Sequence, residues 1–214
     1  MDAEVAVPAG TGQATGPAAG ARHADGMRAD ARRNYQRLLA AAAGAFTERG
    51  ADDVSLEEIA RRAGVGIGTL YRHFPTRQAL LEAVYRDQVE ALGARAAELI
   101  QADSPAAALA EWVTALVTFG KAKRSLTTAL LEVLDKDSAL LSSSRDVLRG
   151  ATDELLERAQ RAGVARTDVR GSDVMRLAHG VSMTADLGQD PDQAERMLAL
   201  ILDGLLGPAG RPAR

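Results

Sequence analysis

The chain has 214 residues, with 26 Lys and Arg against 29 Asp and Glu, so a net charge of −3 announces no bulk attraction to nucleic acid and any such surface has to be local. The absence of cysteine excludes disulfides, thiolate zinc sites and a cysteine nucleophile, and His23, His73 and His179 are too scattered for a metal cluster. Hydrophobic residues at 46% supply a core, and the most apolar run, residues 38–46, is less than half a membrane span.

Residues 1–27 hold fifteen Gly, Ala or Pro and show no helical period, which predicts a disordered tail. Asp2 and Glu4 stand where a secretory signal needs a basic start, so the expectation is a cytoplasmic protein without a membrane anchor. From Asp30 onward the apolar spacing is helical almost throughout. Tyr35, Leu38, Leu39, Ala42, Ala43 and Phe46 form one stripe, and Gly50 suits the C′ position that ends it. Ser55 and Glu58 have the spacing of a capping box opening a second helix, which Gly64 closes. A third short helix is predicted over 67–73 with Leu70 and Phe74 inward, and Pro75 breaks it. Thr76 caps a long fourth helix reaching about Ala102.

Beyond it, Asp103-Ser104-Pro105 opens a helix carrying Trp112, Leu116 and Phe119. Further helices are predicted over 125–136 and 138–162, from a Ser172 cap, and from Asp190-Pro191 to a stop at Gly207-Pro208. The total is an all-α chain of about nine helices, with 208–214 a frayed C-terminus.

Two short helices joined by Gly64-Val65-Gly66 and preceded by a longer one form a helix-turn-helix pattern over 55–74. One exposed helix of such a pair fits the DNA major groove while the other lies across the backbone. Between Ile59 and Leu81 stand Arg61, Arg62, Arg72, Arg77 and His73, with no acidic residue, a local basic footprint on an acidic chain. Thr69, Arg72 and His73 point outward if Leu70 points in, and so polar a helix gains little from burial.

Residues 33–92 resemble the DNA-binding domain of the tetracycline-repressor (TetR) family, above all in Ile59-Ala60, Ala63-Gly64-Val65, Gly68-Thr69-Leu70-Tyr71, His73-Phe74 and Ala79-Leu80-Leu81. The resemblance implies a DNA-binding domain over 28–92 that reads double-stranded, palindromic operator DNA. It implies that Thr69 and Tyr71 give hydroxyls to phosphates and that Arg77 adds charge beside a helix N-terminus. Arg72 is the candidate for bidentate contact with guanine, while Ser55 serves both its helix cap and a phosphate. His73 faces either a phosphate or the packing below the recognition helix. Gly66 stands where the family often has a Ser or Thr cap, and Ile67 where it often has a polar residue. With Gly68, these complete the candidate DNA-binding set, Ile67 suiting contact with a thymine methyl.

Residues 93–207 carry more acidic than basic side chains, so DNA is not their target. Their helix order resembles the family's regulatory domain, which implies a cavity for an unknown small-molecule effector and a homodimer built by the last two helices. Trp112, Phe119, Leu130, Leu134, Met175, His179 and Met183 are candidate lining residues, each with ordinary core as the alternative. Met197, Ile201 and Leu205, at i, i+4 and i+8, are the candidate dimer seam. No P-loop, nucleophile elbow, dinucleotide fingerprint or metal-ligand spacing occurs, so no cofactor, metal or catalytic residue is expected. The function that follows is a repressor released by a small molecule. A constitutive or activating DNA-binder and a helical enzyme or carrier are the alternatives.

Overall fold

A computed structural model of the chain describes residues 17–133, 138–184, 190 and 192–206, and among these it has nine α-helices and no strand. They are α1 (Pro17–Arg49), α2 (Leu56–Ala63), α3 (Ile67–His73), α4 (Arg77–Ile100), α5 (Pro105–Ala122), α6 (Arg124–Val133), α7 (Ala139–Arg161), α8 (Gly171–Thr184) and α9 (Gln193–Leu205). Among the described residues no helix is long and apolar enough to cross a membrane.

Helix starts follow side-chain capping. Ser55, Thr76, Ser104 and Ser138 accept from the N–H groups of Glu58, Ala79, Ala107 and Leu141 at 3.2, 3.1, 3.3 and 3.4 Å. The expected capping box is only half made, because the Glu58 carboxylate is taken by Arg49 and Arg62. At Ser172 the expectation fails by two residues: α8 begins at Gly171, and Asp173 accepts from the Arg170 N–H at 3.0 Å instead. α1 also starts earlier than expected, so residues 17–27 are helical rather than tail. Pro17 suits a first helical position, and Ala18, Ala19, Ala21 and Ala24 are the strongest helix formers, which outweighs the scattered glycines. Residues 1–16 of that tail and the 208–214 terminus lie outside the described residues.

Two hydrophobic cores share α4. The first gathers Leu38, Leu39 and Phe46 of α1, Ile59 of α2, Leu70 of α3 and Leu80 to Val89 of α4. The second gathers Leu92 to Leu99 of α4 with Leu109, Trp112, Leu155, Leu156, Val174 and Val181. The expected division at residue 92 therefore falls inside α4, where one core gives way to the other. α6 departs from that division, since Leu126, Ala129 and Leu130 join the first core, as does Leu141 at the start of α7. Sequence order placed α6 with the regulatory half, but it folds back against α1 and α4.

The second core is tied by polar bonds as well. The Trp112 indole N–H donates to Thr152 Oγ1 at 2.9 Å, which satisfies a fully buried donor between α5 and α7. α5 and α8 approach so closely that a Cβ on Gly120 would sit 2.5 Å from Ser182 Oγ. Beside that crossing the Arg124 guanidinium, at the start of α6, donates to the Ser182 carbonyl of α8.

Candidate nucleic-acid interface

The turn between α2 and α3 requires its glycine. Gly64 has φ 64° and ψ 38°, the left-handed conformation that side chains with a Cβ resist. The N–H groups of Gly64 and Val65 bond to the carbonyls of Arg61 and Ala60 at 3.1 and 3.0 Å, closing α2 with a Schellman motif. Gly66 then caps α3 without a side-chain bond, and a Cβ there would meet nothing within 4 Å.

α3 is anchored by one fully buried residue, Leu70, with Phe74 buried just beyond it. Its other faces are open: Gly68 and Arg72 are exposed, and Ile67 and Tyr71 are exposed by 38% and 46%. Ile67 and Tyr71 are thus two large side chains left on the open faces of α3. Thr69 is half-buried, and Ser55 is exposed while capping α2. His73 is half-buried, its ring edge-on to Tyr35 at 5.8 Å and 6.2 Å from Phe74. This geometry is the packed alternative of the two readings.

The basic footprint divides into committed and uncommitted charges. Arg62 is paired with Glu48 at 2.7 Å and Glu58 at 3.0 Å, and Arg49 also pairs with Glu58. These bonds, that from Arg49 foremost, hold the Glu58 carboxyl below its ordinary range. They raise the Arg62 guanidinium, chiefly through Glu48. Arg77 reaches back from α4 to the carbonyls of Ala51 and Val54, the latter at 2.7 Å. Its guanidinium thus braces the loop before α2, and at the N-terminus of α4 the backbone N–H groups of Arg77 and Gln78 have no partner among the described residues. The guanidinium groups of Arg61 and Arg72 have no hydrogen bond or ion pair among the described residues. Sequence reasoning missed Tyr35 as the partner of His73 and the brace made by Arg77, since both join residues far apart in the chain.

The candidate lining residues of the larger half do not share one cavity. Trp112 and Leu130 are fully buried core, in the second and first cores respectively. Phe119 packs against both cores and lines a groove between α4 and α5, while Met175 is half-buried. His179 and Met183 are exposed on α8, so His179 is neither core nor enclosed. Leu134 lies outside the described residues. On α9, Leu205 is buried in its own chain's core, and Met197 and Ile201 are half-buried against it. The side chains turned outward are instead Leu200, exposed by 72%, with Leu177 and Met183 on α8.

Residues 38–84 match the family of bacterial regulatory proteins, tetR family, and residues 104–206 match the C-terminal domain of SbtR-like transcriptional regulators. The crystal structure of a TetR transcriptional regulator from Streptomyces coelicolor is 39% identical, with TM-score 0.72, covering 82% of this chain and 99% of that one. The chain belongs to the TetR family. A TetR transcription regulatory protein from Mycobacterium vanbaalenii is 36% identical with TM-score 0.69, covering 84% of this chain and 99% of that one. HTH-type transcriptional regulators of Staphylococcus aureus are 44% identical over 54 residues, 25% of this chain and 29% of theirs. As a TetR-family protein the chain is a DNA-binding transcriptional regulator, not an enzyme.

Proposed function

We propose that this TetR-family regulator is a homodimeric repressor that holds a palindromic operator in the cytoplasm and releases it when a small molecule enters the larger half. The observation that carries the reading is the sharing of α4 and α6 between the two halves. α4 belongs to both cores, and α6 packs in the DNA-binding core while Arg124 at its start holds the Ser182 carbonyl of α8. A ligand that favours one packing of the regulatory helices thereby shifts the position of α3.

On DNA, Arg72 reads a base edge, Ile67 and Gly68 approach the bases, and Thr69 and Tyr71 meet phosphates. Ser55, the turn at Gly66 and the free N–H groups at the start of α4 position the backbone, with Arg77 bracing that end and His73 supporting the helix from below. The dimer seam runs over Leu177, Met183 and Leu200, the exposed apolar face of α8 and α9, with Ile201 and Met197 at its margin and Leu205 behind it.

Genomic immunoprecipitation identifies the bound sites, and transcript levels of the adjacent genes in a deletion strain test the sign. Rising transcripts are expected. Unchanged or falling transcripts at occupied sites would refute repression.

A further inference from the structure

The effector reading above is deepened by one side chain at the joint of α5 and α6. We propose that Lys123 anchors the carboxylate of a small organic acid whose apolar body lies against Phe119.

Lys123 is half-buried, and its Nζ stands 4.6 Å from the centroid of the Phe119 ring and 5.8 Å from that of Tyr85. Among the described residues no carboxylate pairs with it. Its charged neighbour is Arg145, of the same sign, and the Ser144 hydroxyl lies beside the Tyr85 phenol. Elsewhere the chain pairs far more exposed cations: Arg95 with Glu98 and Glu111, Arg166 with Asp168, and Arg196 with Asp190. A cation drawn out of water normally has a counter-ion. Here burial first, and Arg145 second, hold the ammonium below the ordinary lysine range.

The Phe119 ring that Lys123 packs on also lines a solvent-open groove of about 520 Å³ between α4 and α5, together with Leu92, Ala115, Ala122 and the ion-paired Arg95 and Glu111, while Lys123 itself is not on that wall. Gln88 stands on the same wall, and its buried Oε1 has no hydrogen-bond partner among the described residues. A guest with one negative end, an apolar body and a hydroxyl fits these three features together. One lysine lacking a carboxylate matches a monoanion better than a phosphate dianion. The position also suits a trigger. Lys123 precedes Arg124, which holds α8, and both sit where α6 enters the DNA-binding core.

The test uses the full chain and a panel of straight-chain alkanoates, phenylalkanoates and ring-hydroxylated phenylalkanoates, each beside its neutral primary amide. Binding is read by calorimetry and by the rise in melting temperature that a native-state ligand produces. At least one acid is expected to bind with its amide at least about tenfold weaker, Lys123→Met to lose that discrimination, and Lys123→Arg to keep most of it. Circular dichroism and the unliganded melting temperature of the Met variant check its fold, and if it fails to fold, the Arg variant with the acid–amide pairs decides. Failure of every acid to bind, or amides binding as well as acids, overturns the anchor. Release of operator DNA is measured separately by fluorescence anisotropy. An acid that binds through Lys123 without releasing DNA refutes the effector reading and leaves the site standing.

Discussion

Arg72 and Arg77 are both arginines beside the recognition helix, yet their surroundings predict opposite phenotypes. Arg72 is exposed and uncommitted, so Arg72→Ala should leave the melting temperature unchanged while relaxing preference at one base pair by about 1–3 kcal/mol. Tyr71→Phe should weaken binding about equally on all sequences, because a phosphate contact positions without specifying. Selection from randomised sites separates the two, and a retained preference in the Arg72 variant would remove it from base readout. Arg77 donates from a charged group to the carbonyls of Ala51 and Val54. Its replacement by Ala should cost about 1.5–3 kcal/mol of folding stability. Denaturant melts showing wild-type stability would mean that its main role is on DNA instead.

At the scale of the helices, α1 and α2 are clamped by a ladder in which Glu58 accepts from Arg49 and Arg62, and Arg62 also holds Glu48. The folded carboxyl of Glu58 titrates below its ordinary 4.5, so its stabilisation is complete above that value and is lost as the pH falls through the lower, folded one. Glu58→Gln should therefore lower stability at neutral pH and flatten the fall below pH 4.5, measured by urea melts across that range. An unchanged pH profile would mean that the ladder is a solvated surface feature. The start of α1 gives a second expectation. From residue 29 on, where the side chains of that helix are described, the first fully buried one is Leu38, and residues 30–33 are exposed. Removing residues 1–27 should then leave the melting temperature nearly unchanged, and a drop of several degrees would show that this segment docks on the fold.

For the whole molecule the decisive element is the outward face of α8 and α9. Half-sites in successive major grooves lie about 34–36 Å apart, so reading both needs two subunits. Leu200 is 72% exposed and belongs to neither core among the described residues, so Leu200→Asp should spare the fold and place a charge in the seam. Light scattering is expected to give a folded monomer of half the mass, with operator affinity lower by at least about tenfold, or 1.4 kcal/mol. A Leu200→Asp protein that remains dimeric would move the seam elsewhere. Ile201→Asp is a poorer probe, because Ile201 is already half-buried in its own chain and its loss would confuse folding with assembly.

Local chemistry made much of this chain legible before any fold was known. Ser55, Gly64, Thr76 and Ser104 mark helix ends through bonds that span only a few residues, and the outward Arg72 follows from the inward Leu70 by helical geometry alone, whereas Thr69 and His73, expected outward with it, are half-buried. The regulatory half was less legible because α9 carries large apolar residues on more than one side, Leu205 inward and Leu200 outward. Periodicity finds the stripes of α9 but does not say which one faces its own core, and tertiary packing chose Leu205 for the inside and Leu200 for the outside. Only the fold could bring α6 against α1, set Arg77 on the carbonyls of Ala51 and Val54, or leave Lys123 between two rings with no carboxylate among the described residues. Those relations join residues dozens of positions apart, and a one-dimensional pattern records spacing along the chain, not which distant surfaces exclude water together.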